Sequence, residues 1–196
     1  MKKTVSLALA LVMLVSTMLF ATSCDLDGVT SLFEHPIDRL GKVIVEDSNY
    51  QVRMTYYNFP LVGTLSGTGI YDGNIHYISS TYWSEEYYIE TVGDTIYKYQ
   101  KNEDGVLEKT VEENEEVVFY DDIFQSECYE KIGKNVYKQK KDVKFELIGD
   151  VVLTIDDDEC TVEGYLLNDD GTVGGIGIKL VFSKMGEIEL TLPEVD

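Results

Sequence analysis

Two histidines, three cysteines and a run of four acidic residues are the side chains through which this chain could do chemistry. His35 stands beside Pro36, and His76 lies in a stretch of strand character. A Ser-His-Asp or Cys-His system needs its base held against a nucleophile by the fold, and no spacing here ties either histidine to one. The sequence has no G-x-S-x-G, no H-E-x-x-H and no phosphate-binding glycine loop. Gly171, Gly174, Gly175 and Gly177 follow a turn into a strand, where they suit a bend or bulge. Asp156-Asp157-Asp158-Glu159 offers the oxygens that a hard cation takes. Consecutive carboxylates on a turn point apart, however, and the alternating ligands, central glycine and distant glutamate of an EF-hand loop are missing. A solvated turn is expected, as for Asp169-Asp170. The reading assigns no catalytic residue, no metal site and no cofactor.

The cysteines say more. Lys2 and Lys3 form a basic start, Val5 to Phe20 is apolar, and Ala21-Thr22-Ser23 places small residues before Cys24. This is the charge, apolar stretch and small-residue cleavage site of an export signal. It resembles the lipobox of bacterial lipoproteins, with Ala21 where leucine is most usual. The resemblance implies cleavage between Ser23 and Cys24 and a diacylglyceryl group on the Cys24 sulfur, an anchor of two acyl chains. An uncleaved membrane helix over Thr4 to Ser23 is the alternative, since that stretch is just long enough to span a bilayer; an ordinary secreted protein is the third reading. The first two readings put the remainder on the outer face of a cell membrane. Cys128 and Cys160 are then an even pair in a disulfide-permissive setting, read either as a bridge or as two buried thiols. Asp25, after the lipidated cysteine, resembles an inner-membrane retention signal if the cell is Gram-negative and has no such meaning if it is Gram-positive.

The formal net charge of the whole chain is −20, and processing removes two lysines from it. Such a charge repels phosphates, excluding nucleic acid as a partner, and disfavours adsorption to an anionic leaflet, so attachment falls to the lipid. Abundant Tyr, Val and Ile with only 3 prolines are not the composition of a disordered chain. Residues 24–41 read as lipidated N-terminus and leader, and 42–196 as one antiparallel β domain.

Within that domain the elements follow from period-two alternation. Tyr50, Val52, Met54 and Tyr56 alternate with polar residues, as do Tyr87, Ile89 and Thr91. Ile75, Tyr77 and Ser79 form one face of a strand, and Thr95, Tyr97 and Tyr99 one face of another. Tyr71-Asp72-Gly73-Asn74, Gly93-Asp94, Asn102 to Gly105 and Asn168 to Gly171 are hairpin signals, so a meander is expected. Further strands are expected at 136–140, 143–148, 151–155, 160–167, 176–182 and 188–192. Phe119 and Ile123, and Phe124 and Cys128, are four apart, which predicts a helix over 118–129. The fold class is mainly β: a single curved antiparallel sheet or open half-barrel of about ten strands with one or two short helices.

Ten of the 14 tyrosines fall between Tyr50 and Tyr99. They either line a pocket for a ligand with apolar and polar parts, stack on sugars, or simply cover a half-exposed sheet. The lipobox, the Tyr-rich meander, the central helix and the closing Phe182-Ser-Lys-Met-Gly-Glu-Ile-Glu-Leu-Thr-Leu-Pro193 together resemble the small exported lipoproteins of Gram-positive bacteria that share the LolA/LppX-like fold. The similarity covers roughly residues 45 to 195. It implies an open curved sheet whose concavity holds acyl chains or other lipids, and no catalytic residues. The expectation is a non-enzymatic lipoprotein that binds or carries a lipid-like ligand, with Ile75, Tyr77, Tyr87, Ile89, Tyr97, Tyr99, Phe119, Ile123 and Phe124 as groove residues and the 119–128 segment as a movable cover. A surface module binding a protein or glycan is the alternative.

Overall fold

The computed structural model describes residues 34–81, 85–112, 122–157 and 159–195. Eleven strands form one antiparallel sheet: β1 (Asn49–Phe59), β2 (Gly63–Asp72), β3 (Ile75–Ser80), β4 (Glu85–Val92), β5 (Thr95–Lys101), β6 (Leu107–Glu112), β7 (Tyr129–Gly133), β8 (Val136–Gln139), β9 (Ile148–Ile155), β10 (Glu159–Leu167) and β11 (Val173–Ser183). Their order across the sheet is β6-β5-β4-β3-β2-β1-β11-β10-β9-β8-β7. Two meanders therefore meet at the β1–β11 pair, where Val52 faces Phe182 and Met54 faces Leu180. The sheet is open, with β6 and β7 as its edges. Both edges carry charge, Glu108, Lys109 and Glu112 on one and Glu130 and Lys131 on the other, which discourages pairing with a second chain.

Among the described residues one helix, α1 (Pro36–Gly41), continues into a π-helical stretch at Lys42–Glu46. Pro36 occupies the first helical turn, where its missing N–H costs nothing. Ile37, Leu40 and Ile44 all enter the core, so chain read as leader supplies core residues. The carboxylate of Asp38 accepts from the Ser126 N–H (2.8 Å) and the Ser126 hydroxyl (2.7 Å), tying α1 to the segment before β7.

The core lies on one face of the sheet and toward one end. Tyr50, Val52, Tyr71, Val162, Leu180 and Phe182 meet Ile37, Ile44, Ile123, Phe124 and Phe145 there. Phe182 is fully buried, with ring centroids 5.5 Å from Tyr50 and 5.4 Å from Phe124. Tyr50 stacks on Tyr71 at 4.6 Å, and Tyr71 leans over Gly69 so closely that a Cβ there would stand 2.6 Å from its ring. The glycine thus leaves the space that its aromatic neighbour fills.

The other half of the sheet, β3 to β6, is built differently. Tyr99 is its one buried hydrophobic residue among those described. Cross-strand contacts hold it instead: Tyr77 against Tyr88 at 5.0 Å, Lys98 over Tyr87 at 4.5 Å and Lys109 over Tyr97 at 3.9 Å. Tyrosine and lysine suit a sheet wetted on both faces, because each has an apolar body and a polar tip.

Three expected elements differ. The described part of 118–129 is no α-helix: residues 122–125 are turn and irregular chain, Ser126–Cys128 is a 3-10 turn, and Tyr129 opens β7. Ile123 and Phe124 are adjacent and both buried, which irregular chain permits; residues 118–121 lie outside the described residues. Residues 143–147 are irregular around the buried Phe145, and the strand begins at Ile148. No strand forms at 188–192. That segment takes its hydrogen bonds from side chains: Asn49 accepts from the Ile188 N–H (2.9 Å) and donates to the Ile188 carbonyl (2.9 Å), and Asp72 accepts from the Leu190 N–H (2.8 Å). These contacts satisfy backbone groups that a ladder would otherwise pair.

Candidate functional site

The face of the sheet that carries the core continues past it into an open groove. Register fixes which residues share that face. Tyr56 of β1 faces Leu65 and Met54 faces Gly67. Gly67 faces Ser80 and Gly69 faces Ile78, and Ile78 faces Tyr87 while Ser80 faces Glu85. With Phe59 of β1 and Leu166 of β10, these residues except Gly69 line a concavity of about 660 Å³. That volume lies within the range of ligand pockets, roughly 300–1,000 Å³. The lining is chiefly apolar, and Glu85 is its one charged residue among those described. Gly67 lies in the lining, and a Cβ there would come within 3.0 Å of the Ser79 carbonyl oxygen. Tyr71 fills the space over Gly69, whereas the space over Gly67 stays open. Burial raises the Tyr56 phenol above its ordinary pKa, so it stays protonated and able to donate near neutral pH.

The groove opens at the end of the sheet where β1 turns into β2. In that hairpin Leu61 is fully exposed and holds a φ of 69°. Val62 beside it is 39% exposed. The tip is therefore apolar chain presented to solvent next to an apolar groove.

The expected groove residues divide between the two faces. Tyr87 lines the groove, and Ile89, across from His76, shares its face. Ile75, Tyr77, Tyr97 and Tyr99 are on the opposite face, one residue out of phase. There the Tyr99 hydroxyl donates to Glu90, and Lys109 covers the Tyr97 and Tyr99 rings. Ile123 and Phe124 belong to the packed core, and neither lines the groove. Phe119, Ser23 and Cys24 lie outside the described residues. Met54, Tyr56, Leu65, Ile78 and Leu166 are the groove residues that sequence reading missed.

Cys128 and Cys160 are free thiols. Cys160 is fully buried opposite Phe182, and burial pushes its thiol up to about 12. Cys128 is half-buried, its thiol also raised by burial and by Glu127. The Tyr129 hydroxyl nearby is buried without a hydrogen-bond partner, and burial raises its pKa strongly. All three groups are held neutral, the opposite of a poised nucleophile. His76 Nε2 lies 3.1 Å from the Gly73 carbonyl oxygen, and its ring tilts against Tyr71 at 4.6 Å, a hairpin contact. Among the described residues no group of three or more His, Cys, Asp or Glu is placed to hold a metal ion.

No protein-family model matches the chain, and no curated protein matches it.

Proposed function

We propose that the protein is an exported, membrane-anchored lipoprotein that binds or carries a hydrophobic, lipid-like ligand in the groove bounded by Met54, Tyr56, Leu65, Ile78 and Tyr87. The groove itself carries the reading: it extends the apolar face of the sheet beyond the packed core and has room for a ligand. A curved sheet buries that face under a second layer or under a ligand. Ser80 and Glu85 at the margin and the protonated Tyr56 hydroxyl suit the polar end of such a molecule. The Cys24 anchor keeps the domain at a bilayer, and the exposed Leu61 and Val62 beside the groove suit exchange with it. The role needs no reaction at the protein, in keeping with the neutral thiols.

Titration with a fluorescent fatty acid tests this. Saturable binding that is lost in Ile78→Trp, with the unfolding midpoint unchanged, supports the groove. Binding that Ile78→Trp leaves intact places the ligand elsewhere and refutes it.

A further inference from the structure

The opposite face of the sheet holds a second concavity of different chemistry, about 420 Å³, lined by Tyr57, Asn58, Asp150, Val152, Glu163 and Tyr165 over Gly164 and Gly177. Tyr57 on β1 and Tyr165 on β10 are both in register with Gly177 on β11, which runs between them. Neighbouring strands lie about 4.8 Å apart, so the two tyrosines rise from positions about 9.6 Å apart. Gly177 between them has no side chain, and the Tyr57 ring leans toward it, its Cδ2 3.7 Å from where a Cβ would stand. Half the backbone spacing is inside the roughly 6 Å over which an aromatic face attracts a cation.

Backbone irregularities frame the slot. Glu163 faces Val152 and Tyr165 faces Gly149, so Asp150 and Val151 together oppose Gly164 in a β-bulge. Asp150 has a φ of 54° there, and the Gln139 side chain accepts the Val151 N–H at 2.9 Å. A second irregularity lies between Tyr56 and Phe59, where Asn58 has a φ of 58°. Bulges of this kind re-aim side chains, and these two bring Asn58 and Asp150 to the same slot.

The charge and the aromatic faces point to one class of ligand. Elsewhere on the sheet the protein's own lysines cover four of its tyrosines: Lys98 on Tyr87, Lys109 on Tyr97 and Tyr99, and Lys131 on Tyr137. Tyr57 and Tyr165, 40% and 43% exposed, have no such cover among the described residues. Two carboxylates line their slot, and no lysine or arginine does. Lys179 pairs with Glu163 at 3.1 Å from outside the lining, and Asp150 makes no ion pair among the described residues, though Lys138 stands in register with Val152 beside it. We propose that this slot binds a small monovalent organic cation of the alkylated-ammonium class, held between the Tyr57 and Tyr165 rings with Asp150 as its counter-charge. A sugar would use the rings and donate hydroxyls to the carboxylates, but only a cation is drawn in by their charge.

The test is a titration of the full chain in a non-ionic detergent with tetramethylammonium chloride, against sodium chloride at equal ionic strength, following the Gly164 and Gly177 amides by NMR. The expected result is a saturable shift of both amides with tetramethylammonium and none with sodium. Tyr165→Leu and Asp150→Asn should each weaken binding about fivefold or more. Gly177→Ala should also weaken it by filling the floor; its Cβ meets Tyr57 at an ordinary 3.7 Å, so folding is kept. No saturable shift, or equal shifts with the uncharged branched analogue 2,2-dimethylpropan-1-ol, overturns the proposal. Because the slot and the groove are on opposite faces, neither result bears on lipid binding.

Discussion

Asn49 is the residue whose replacement tests most directly how the C-terminal segment is fastened. Its side chain makes three hydrogen bonds: to Asp72 Oδ1 (3.0 Å), to the Ile188 carbonyl (2.9 Å) and from the Ile188 N–H (2.9 Å). All three are partly buried and join residues up to 139 positions apart. A net hydrogen bond is worth about 1 kcal/mol, giving roughly 3 kcal/mol for the set. Water can reach the freed groups in part, which brings the expected cost of Asn49→Ala to about 2 kcal/mol. For a domain of this size that lowers Tm by about 4–8 °C. Asn49→Asp keeps the acceptor for the Ile188 N–H but turns a carboxylate toward Asp72 and the Ile188 carbonyl, so it should cost at least as much. The assay is urea unfolding together with hydrogen exchange at the Ile188 and Leu190 amides. Both amides should lose protection in Asn49→Ala, while those of β10 and β11 lose only what the global change requires. An unfolding midpoint within error of the parent, with unchanged exchange at Ile188, would refute the fastening role.

Three further outcomes follow from the packing and the chemistry. Phe182→Ala removes a fully buried ring that touches Tyr50 and Phe124 and should cost about 3–5 kcal/mol by chemical denaturation. Cys160 should resist iodoacetamide in the native protein at pH 8 and react on unfolding. Its folded pKa is raised from 9.0 to about 12, so the unfolded chain releases this proton first. The stabilisation is therefore complete below pH 9 and is lost as pH rises from 9 toward 12, by about 1.4 kcal/mol per unit; a stability flat across that window would contradict the burial. Cys24→Ala should abolish incorporation of labelled palmitate and shift the protein out of the membrane fraction, and a variant that still labels would contradict lipidation at that sulfur.

Much of the sheet was legible because its hairpins announce themselves. Gly73, Gly93, Gly105 and Gly171 all take the positive φ that the turn signals demanded, and alternation located β1, β3, β4 and β5. β2 went unassigned because Gly63, Gly67 and Gly69 among Ser and Thr give no apolar alternation. Gly67 among them lines the groove, so the feature that masked the strand also masked part of the site. The faces were recoverable in principle: the Gly73-Asn74 turn sets Tyr71 opposite His76, which places Ile78 and Tyr87 on the core face and Tyr77 on the other. Reading each strand alone put both faces into one list. The closing segment alternates like a strand, yet side-chain contacts from Asn49 and Asp72 hold it where a ladder was expected; alternation reports a buried side and a wet side, not the identity of the hydrogen-bond partner. Spacing of four at Phe119, Ile123, Phe124 and Cys128 likewise predicts a helix. In the described part, burial of Ile123 and Phe124 is achieved by an irregular turn.

The central claim is that the groove holds a hydrophobic ligand, and native mass spectrometry of the protein purified from a bacterial host, followed by organic extraction, tests it most directly. The expected result is a co-purifying lipid-like molecule of defined mass, bound one to one and absent from Ile78→Trp. A folded protein that carries no ligand and takes up none from lipid vesicles, or a ligand that Ile78→Trp retains in full, would contradict it.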